Sequence, residues 1–167
     1  MRLKSALRRG VAAAVIAGIV VSSGIPAYAA RWDIANGDIT VKAGDTEGTN
    51  KVTQGETIDK DDTNTVITGE SDKNTVTIDT SKGNVDVTFD DLKIDASSRG
   101  YKDPTDTGKA AVSVTGKGDT NIELDGDNEL KSGRYRAGLE HNQTADSEGN
   151  VTSGKLTIQD LSLIHIS

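Results

Sequence analysis

The sequence predicts an all-β fold, a right-handed parallel β-helix. Three observations carry that reading. Apolar and polar residues alternate between Asn84 and Gly133: Val85, Val87 and Phe89, then Leu92 and Ile94, Val112 and Val114, Ile122 and Leu124, and Leu130. Period-two runs broken by Gly, Asp and Asn mark half-buried strands. Strand starts also recur at a steady interval. Val87, Ile122 and Leu156 lie 35 and 34 residues apart, Val76 and Val112 lie 36 apart, and Val52 stands 35 before Val87. An interval of that size means one structural unit per repeat, each covered by its neighbours. Finally, no run after residue 30 places apolar residues at i, i+3, i+4 and i+7, so helical repeats of similar length are excluded. A propeller blade needs four antiparallel strands, whereas each repeat here offers three short ones with Asn or Asp at the corners. A β-sandwich stays open as the alternative.

The ends of the 167-residue chain are set aside first. Residues 1–30 have the parts of a secretory signal peptide. Arg2, Lys4, Arg8 and Arg9 form a basic start, Val11 to Val21 an apolar run, and Ala27-Tyr28-Ala29 a small-residue cleavage site. The apolar run is short for a bilayer core of about 30 Å, so cleavage is expected, with no membrane span afterwards. The last seven residues, Leu161 to Ser167, resemble a translated sequencing-adapter string. The domain of interest is then 31–160, truncated at its end, and His165 carries no function.

Losing the leader removes four of the 19 basic residues and none of the 26 acidic ones, leaving a net charge of −11. Such a chain repels nucleic acid and anionic membranes. It has no Cys, so disulfides contribute nothing. With one Phe, one Trp and three Tyr, its apolar content rests on Val, Ile and Leu. That suits a thin core between stacked strands.

Taken in order, Arg31–Val41 reads as a strand pair turning at Asn36-Gly37. Lys51–Ile58 holds one weak strand, and Asp59–Thr63 an acidic turn. Asn64–Thr68 and Asn74–Asp79 are near copies. Val85–Phe89 and Leu92–Asp95 form a bent pair that returns at Asn121–Leu124 and Glu129–Lys131. Ser97–Lys109 is a long loop, Ala110–Thr115 a strand, Ser132–Arg136 a short basic loop and Ala137–Glu140 a further strand. Gln143–Ser153 is polar loop, and Lys155–Gln159 opens a third copy of the pair.

These phrases resemble a secreted bacterial carbohydrate-binding domain family described from clostridia. The resemblance rests on W-D-I-x-N-G-D-I-T from Trp32, the N-T-V-T-I-D strand, the N-V-D-V-T-F-D-D-L-K-I-D pair, and Leu124-Asp125-Gly126-Asp127-Asn128-Glu129-Leu130-Lys131-Ser132-Gly133 followed by Ala137-Gly138-Leu139. It covers about Trp32 to Asp160. It implies a pectate-lyase-like parallel β-helix that binds plant cell-wall polysaccharide, acidic pectic chains included, with calcium in the fold and no established catalysis.

Two groups of residues are candidate sites. Asp90 and Asp91 end one bent strand, and Asp125 and Asp127 end the next. Stacked on neighbouring coils about 4.8 Å apart, their carboxylates repel unless a hard cation such as Ca²⁺ lies between them. The plainer reading is a solvated corner, with Asp chosen for its turn geometry. Asp59-Lys60-Asp61-Asp62 lacks the Gly and Glu of an EF-hand and is rejected. For sugars, Tyr101 stands between Arg99 and Lys102 in the long loop, and Tyr135 between Arg134 and Arg136 in the short one. A Tyr ring offers a face to sugar C–H groups, and guanidinium pairs with uronate carboxylates. The plainer reading is two surface loops whose bases balance nearby Asp. Trp32 is expected to cap the first coil rather than form a sugar platform.

The expectation is a secreted or cell-surface, non-catalytic module that binds a pectate or cellulose-like polysaccharide. A surface stalk or adhesin and a polysaccharide lyase are the alternatives. Lyase chemistry needs a calcium cluster with an Arg or Lys base. Glycoside hydrolysis needs two carboxylates at a set separation, which so many acids leave unselected. His141 has no nucleophile motif beside it. The oligomeric state stays open.

Overall fold

The computed structural model describes residues 30–98 and 108–160. They form a parallel β-helix, a β-solenoid of about three turns. The described residues hold one 3₁₀ turn, Ile34–Asn36, and no α-helix.

Each coil alternates between two sheets. In the first sheet β1 (Arg31–Asp33), β5 (Thr65–Ser71), β7 (Val85–Asp95), β9 (Thr120–Asp125) and β14 (Leu156–Asp160) stack in that order, and β10 (Glu129–Lys131) pairs with the far half of β7. In the second, β2 (Ile39–Ala43), β6 (Val76–Asp79), β8 (Val112–Thr115) and β11 (Leu139–His141) stack in parallel. The alternation seen in the sequence becomes ladders. Trp32, Ile67, Phe89 and Leu124 are successive register partners, and so are Ile39, Val76, Val112 and Leu139. The core lies between the two sheets and is one residue deep on each side. Phe89, its largest fully buried side chain, is 0% exposed.

The expected interval holds where insertions are equal. Val76 and Val112 pair, and so do Val87 and Ile122. Three expectations are corrected. Ile122 pairs with Ile158, and Leu156 pairs with Thr120. Val87 pairs with Thr65, so the preceding coil is shorter. Val52 belongs to no equivalent rung, because it pairs antiparallel with Val41. Asn64–Thr68 and Asn74–Asp79, alike in sequence, lead into different sheets, the first into β5 and the second into β6.

The start of the domain also departs from expectation. Asn36-Gly37 turns no hairpin: β1 and β2 lie in separate sheets, and the dipeptide is a corner between them. Beyond β2 the chain makes an antiparallel excursion, β3 (Asn50–Gln54) and β4 (Thr57–Asp62), which extends the second sheet past β2. The stretch expected to be an acidic turn is thus edge strand. Asp59, Lys60 and Asp61 line it, and charged edges resist pairing with another chain. The hairpin is fastened to the first coil by the Trp32 indole N–H, which donates to Asp62 Oδ2 at 2.7 Å. Trp32 is 7% exposed, and Lys60 Nζ lies 5.8 Å from its ring centre. The expected capping role of Trp32 holds. The supposed loop at 143–153 contains a small antiparallel hairpin, β12 (Thr144–Ala145) with β13 (Val151–Thr152).

Two corners show why Gly and Asp recur. Before the first sheet, an acceptor on each coil takes an N–H of the next: Asn84 Oδ1 from Asp119 N, and Asp119 Oδ1 from Lys155 N, both at 2.8 Å. Gly118 lies so close to the neighbouring coil that a Cβ there would be 2.5 Å from the Gly83 carbonyl carbon. At the bend inside β7, Asp91 (φ 49°) and Gly126 (φ 67°) both take left-handed backbone. This corner widens by one residue per coil. It is Gly69 alone between paired positions in β5, Asp91-Leu92 in β7, and Gly126-Asp127-Asn128 between β9 and β10.

Candidate functional site

The loop 132–136 leaves β10 and is held by backbone. Gly133 N donates to Lys109 O at 2.8 Å, and Gly108 N donates to Arg134 O at 3.0 Å. The contact is so close that a Cβ on Gly108 would lie 2.5 Å from the Gly133 carbonyl carbon. Ala96 N donates to Lys131 O at 2.9 Å. Both ends of the long loop are thereby fixed beside this short one. Arg99, Tyr101 and Lys102 themselves lie outside the described residues.

Within the short loop the three candidates differ. Tyr135 is 74% exposed and takes a left-handed φ of 61°. That conformation costs a non-Gly residue about 1 kcal/mol or more, and such outliers persist where surroundings enforce them. The Arg134 guanidinium lies 4.9 Å from the Tyr135 ring centre. Arg136 is turned inward to the scaffold: its Nε donates to Gly108 O at 3.0 Å, and an Nη donates to Glu140 Oε2 at 3.2 Å. Glu140 also accepts from Ala137 N. Arg136 therefore shapes the loop, while Tyr135 is its most exposed surface.

The acidic corner is brought together, though as a bonded turn. Asp90 and Asp125 are register partners. The Asp90 carboxylate is paired with Arg31. Asp91 Oδ1 accepts the backbone N–H of Asp127 at 2.8 Å, and Asn128 Oδ1 accepts from Leu92 N at 2.9 Å. What Asp127 gives Asp91 is thus an N–H, and Asp90 already has a cation. Among the described residues no three His, Cys, Asp or Glu side chains are grouped to hold one metal ion. The turn geometry accounts for Asp91, and Arg31 for Asp90.

An open cleft went unread in the sequence. It has a volume of about 400 Å³ and lies on the face made by the ends of β5 and β7 with β10; Glu70, Asp72, Lys93, Asp95, Glu129 and Lys131 are among its lining residues. They stand far apart in the chain, and only the coil register assembles them: Lys93 is the partner of both Glu70 and Glu129, and Asp95 of Lys131. Lys93 Nζ lies 3.6 Å from Glu70, and Lys131 Nζ 2.9 Å from Glu129. The basic loop begins one residue beyond Lys131.

On the outer side of the first sheet, half-buried Glu123 has its carboxyl pushed up, first by burial and then by the charge of Asp86, against a lowering hydrogen bond from Thr88. A raised folded-state value means that the folded chain holds this proton longer than the unfolded one. Stability is then fullest below the unfolded value and falls as pH rises through the folded one. Glu123→Gln is expected to raise the melting midpoint slightly at pH 7, and the gain should vanish at pH 4. A variant that melts lower at pH 7 would show instead that the charge helps the fold.

Compared with protein-family models, curated proteins and solved structures, the chain gives no match. The described residues contain no helix long and apolar enough to cross a membrane.

Proposed function

We propose that this chain is an exported, non-catalytic polysaccharide-binding module on a β-helix, of the kind its motifs resemble, with plant cell-wall glycans, pectic or cellulose-like, as ligands. One observation carries the reading. Tyr135 presents its ring to solvent on a strained backbone that clamps to Gly108 hold in place. A rigid aromatic offers a sugar a flat apolar face at little cost in side-chain entropy. Arg134 beside it supplies donors, and the ends of the Tyr101 loop are tied alongside.

The test is retention on insoluble cellulose and on pectate. Tyr135→Ala should weaken retention about tenfold or more, as for an aromatic anchor, with the melting midpoint unchanged. Unaltered retention would overturn the assignment. Wild-type protein that binds neither material would point to a stalk. Absorbance from new unsaturated uronate ends would point to a lyase. Arg136→Ala is a poor probe, because it removes the bonds to Gly108 and Glu140 that shape the loop.

A further inference from the structure

We propose that the cleft beside the basic loop seats a neutral glycan chain lengthwise, running across the coils. This rests on the polysaccharide-binding reading and assigns it a second surface. The cleft's volume, about 400 Å³, is of the size ligand sites occupy. Its outward residues form two ladders. Glu70, Lys93 and Glu129 stand on successive rungs, as do Asp95 and Lys131, with Asp72 directly after the rung where Ser71 meets Ile94.

Along the first ladder the charge alternates from coil to coil. A carboxylate only accepts hydrogen bonds and an ammonium only donates them, while a sugar hydroxyl does both. A chain of hydroxyls laid across the rungs therefore finds a partner on each one. Rungs repeat at about 4.8 Å, close to the advance of one pyranose unit. The two ion pairs, Lys93 with Glu70 across neighbouring rungs and Lys131 with Glu129 within β10, are solvent-exposed, so little is lost in opening them. A uronate chain fares worse. It meets four carboxylates and only two ammonium groups, both of which already have acidic partners.

Calorimetric titration of the full chain decides the matter, with β-linked glucose oligomers of increasing length and with oligogalacturonates. Affinity for the neutral oligomers should climb until about three units are present, one for each of the rungs Glu70, Lys93 and Glu129, and then level off. Measured in Tyr135→Ala, which silences the loop, oligogalacturonate should bind about tenfold more weakly than the neutral oligomers, or worse. Lys93→Ala combined with Glu129→Ala should lose about tenfold at an unchanged melting midpoint; should that protein melt early, Lys131→Ala carries the same expectation. Tighter binding of galacturonate overturns the cleft's preference. Unchanged binding in the cleft variants, with loss in Tyr135→Ala, overturns the cleft and leaves the binding reading standing. If the wild-type chain binds neither glycan, both fall.

Discussion

Phe89→Ala is expected to cost about 3–5 kcal/mol, the usual penalty for deleting a buried aromatic. Against the roughly 5–15 kcal/mol that holds a domain together, that is a large share of the total. Phe89 is fully buried between Ile67 and Leu124 on neighbouring rungs, in the middle of the first sheet. A core with one layer of side chains from each sheet has little freedom to slump into the cavity. The loss also falls on two coil interfaces, because both neighbouring rungs pack on the same ring. Urea unfolding followed by circular dichroism measures it. A midpoint change equivalent to less than about 1 kcal/mol would mean that the coils close over the gap.

Gly118→Ala is expected to destabilise by about 1–3 kcal/mol or more, through overpacking. A Cβ at Gly118 would lie 2.5 Å from the Gly83 carbonyl carbon and 2.9 Å from Thr80 O. Those are backbone atoms of the adjacent coil, so no rotamer change relieves the clash. Relief requires the two coils to part at a place where Gly118 N donates to Thr80 O and Asp119 N to Asn84 Oδ1. Gly48 is the control. It takes a left-handed φ of 77°, but a Cβ there meets nothing, so Gly48→Ala carries backbone strain of about 1–2 kcal/mol with no clash. A loss at Gly118 no larger than at Gly48 would show that the two coils part there at little cost.

The parts of this fold that were legible in the sequence are those where one face is buried and the other wet. Val85, Val87 and Phe89 announce a strand because apolar residues alternate with polar ones and all three are buried. The pairing of Val76 with Val112 follows from their spacing because the residues between make one full coil. β4 was illegible for the opposite reason. It is an edge strand exposed along nearly its whole length, with Ile58 74% exposed, so no alternation marks it. The interval from Val52 to Val87 was coincidence, since an inserted hairpin adds length without adding a coil. The loop candidates are legible as a change of charge sign, but the bond of Arg136 to the Gly108 carbonyl is not, because the two become neighbours only through the fold. The same holds for the cleft. Glu70, Lys93 and Glu129 share a face only once each corner's extra residue is counted.

The hairpin at the head of the second sheet sets a boundary condition. A solenoid behaves as a one-dimensional lattice in which each coil is stabilised by its nearest neighbours. At one end of this lattice the terminal spins are pinned: Trp32 is locked to Asp62, and Ile34 and Ile39 are wholly buried. At the other, Leu139 and Leu156 are only partly covered and Ile158 is 50% exposed. Within the described residues the pinned head is therefore the segment least open to fraying. A ligand that bridged the Tyr135 loop to the β5 and β7 rungs of the cleft would tie neighbouring coils of that lattice together and so strengthen their coupling.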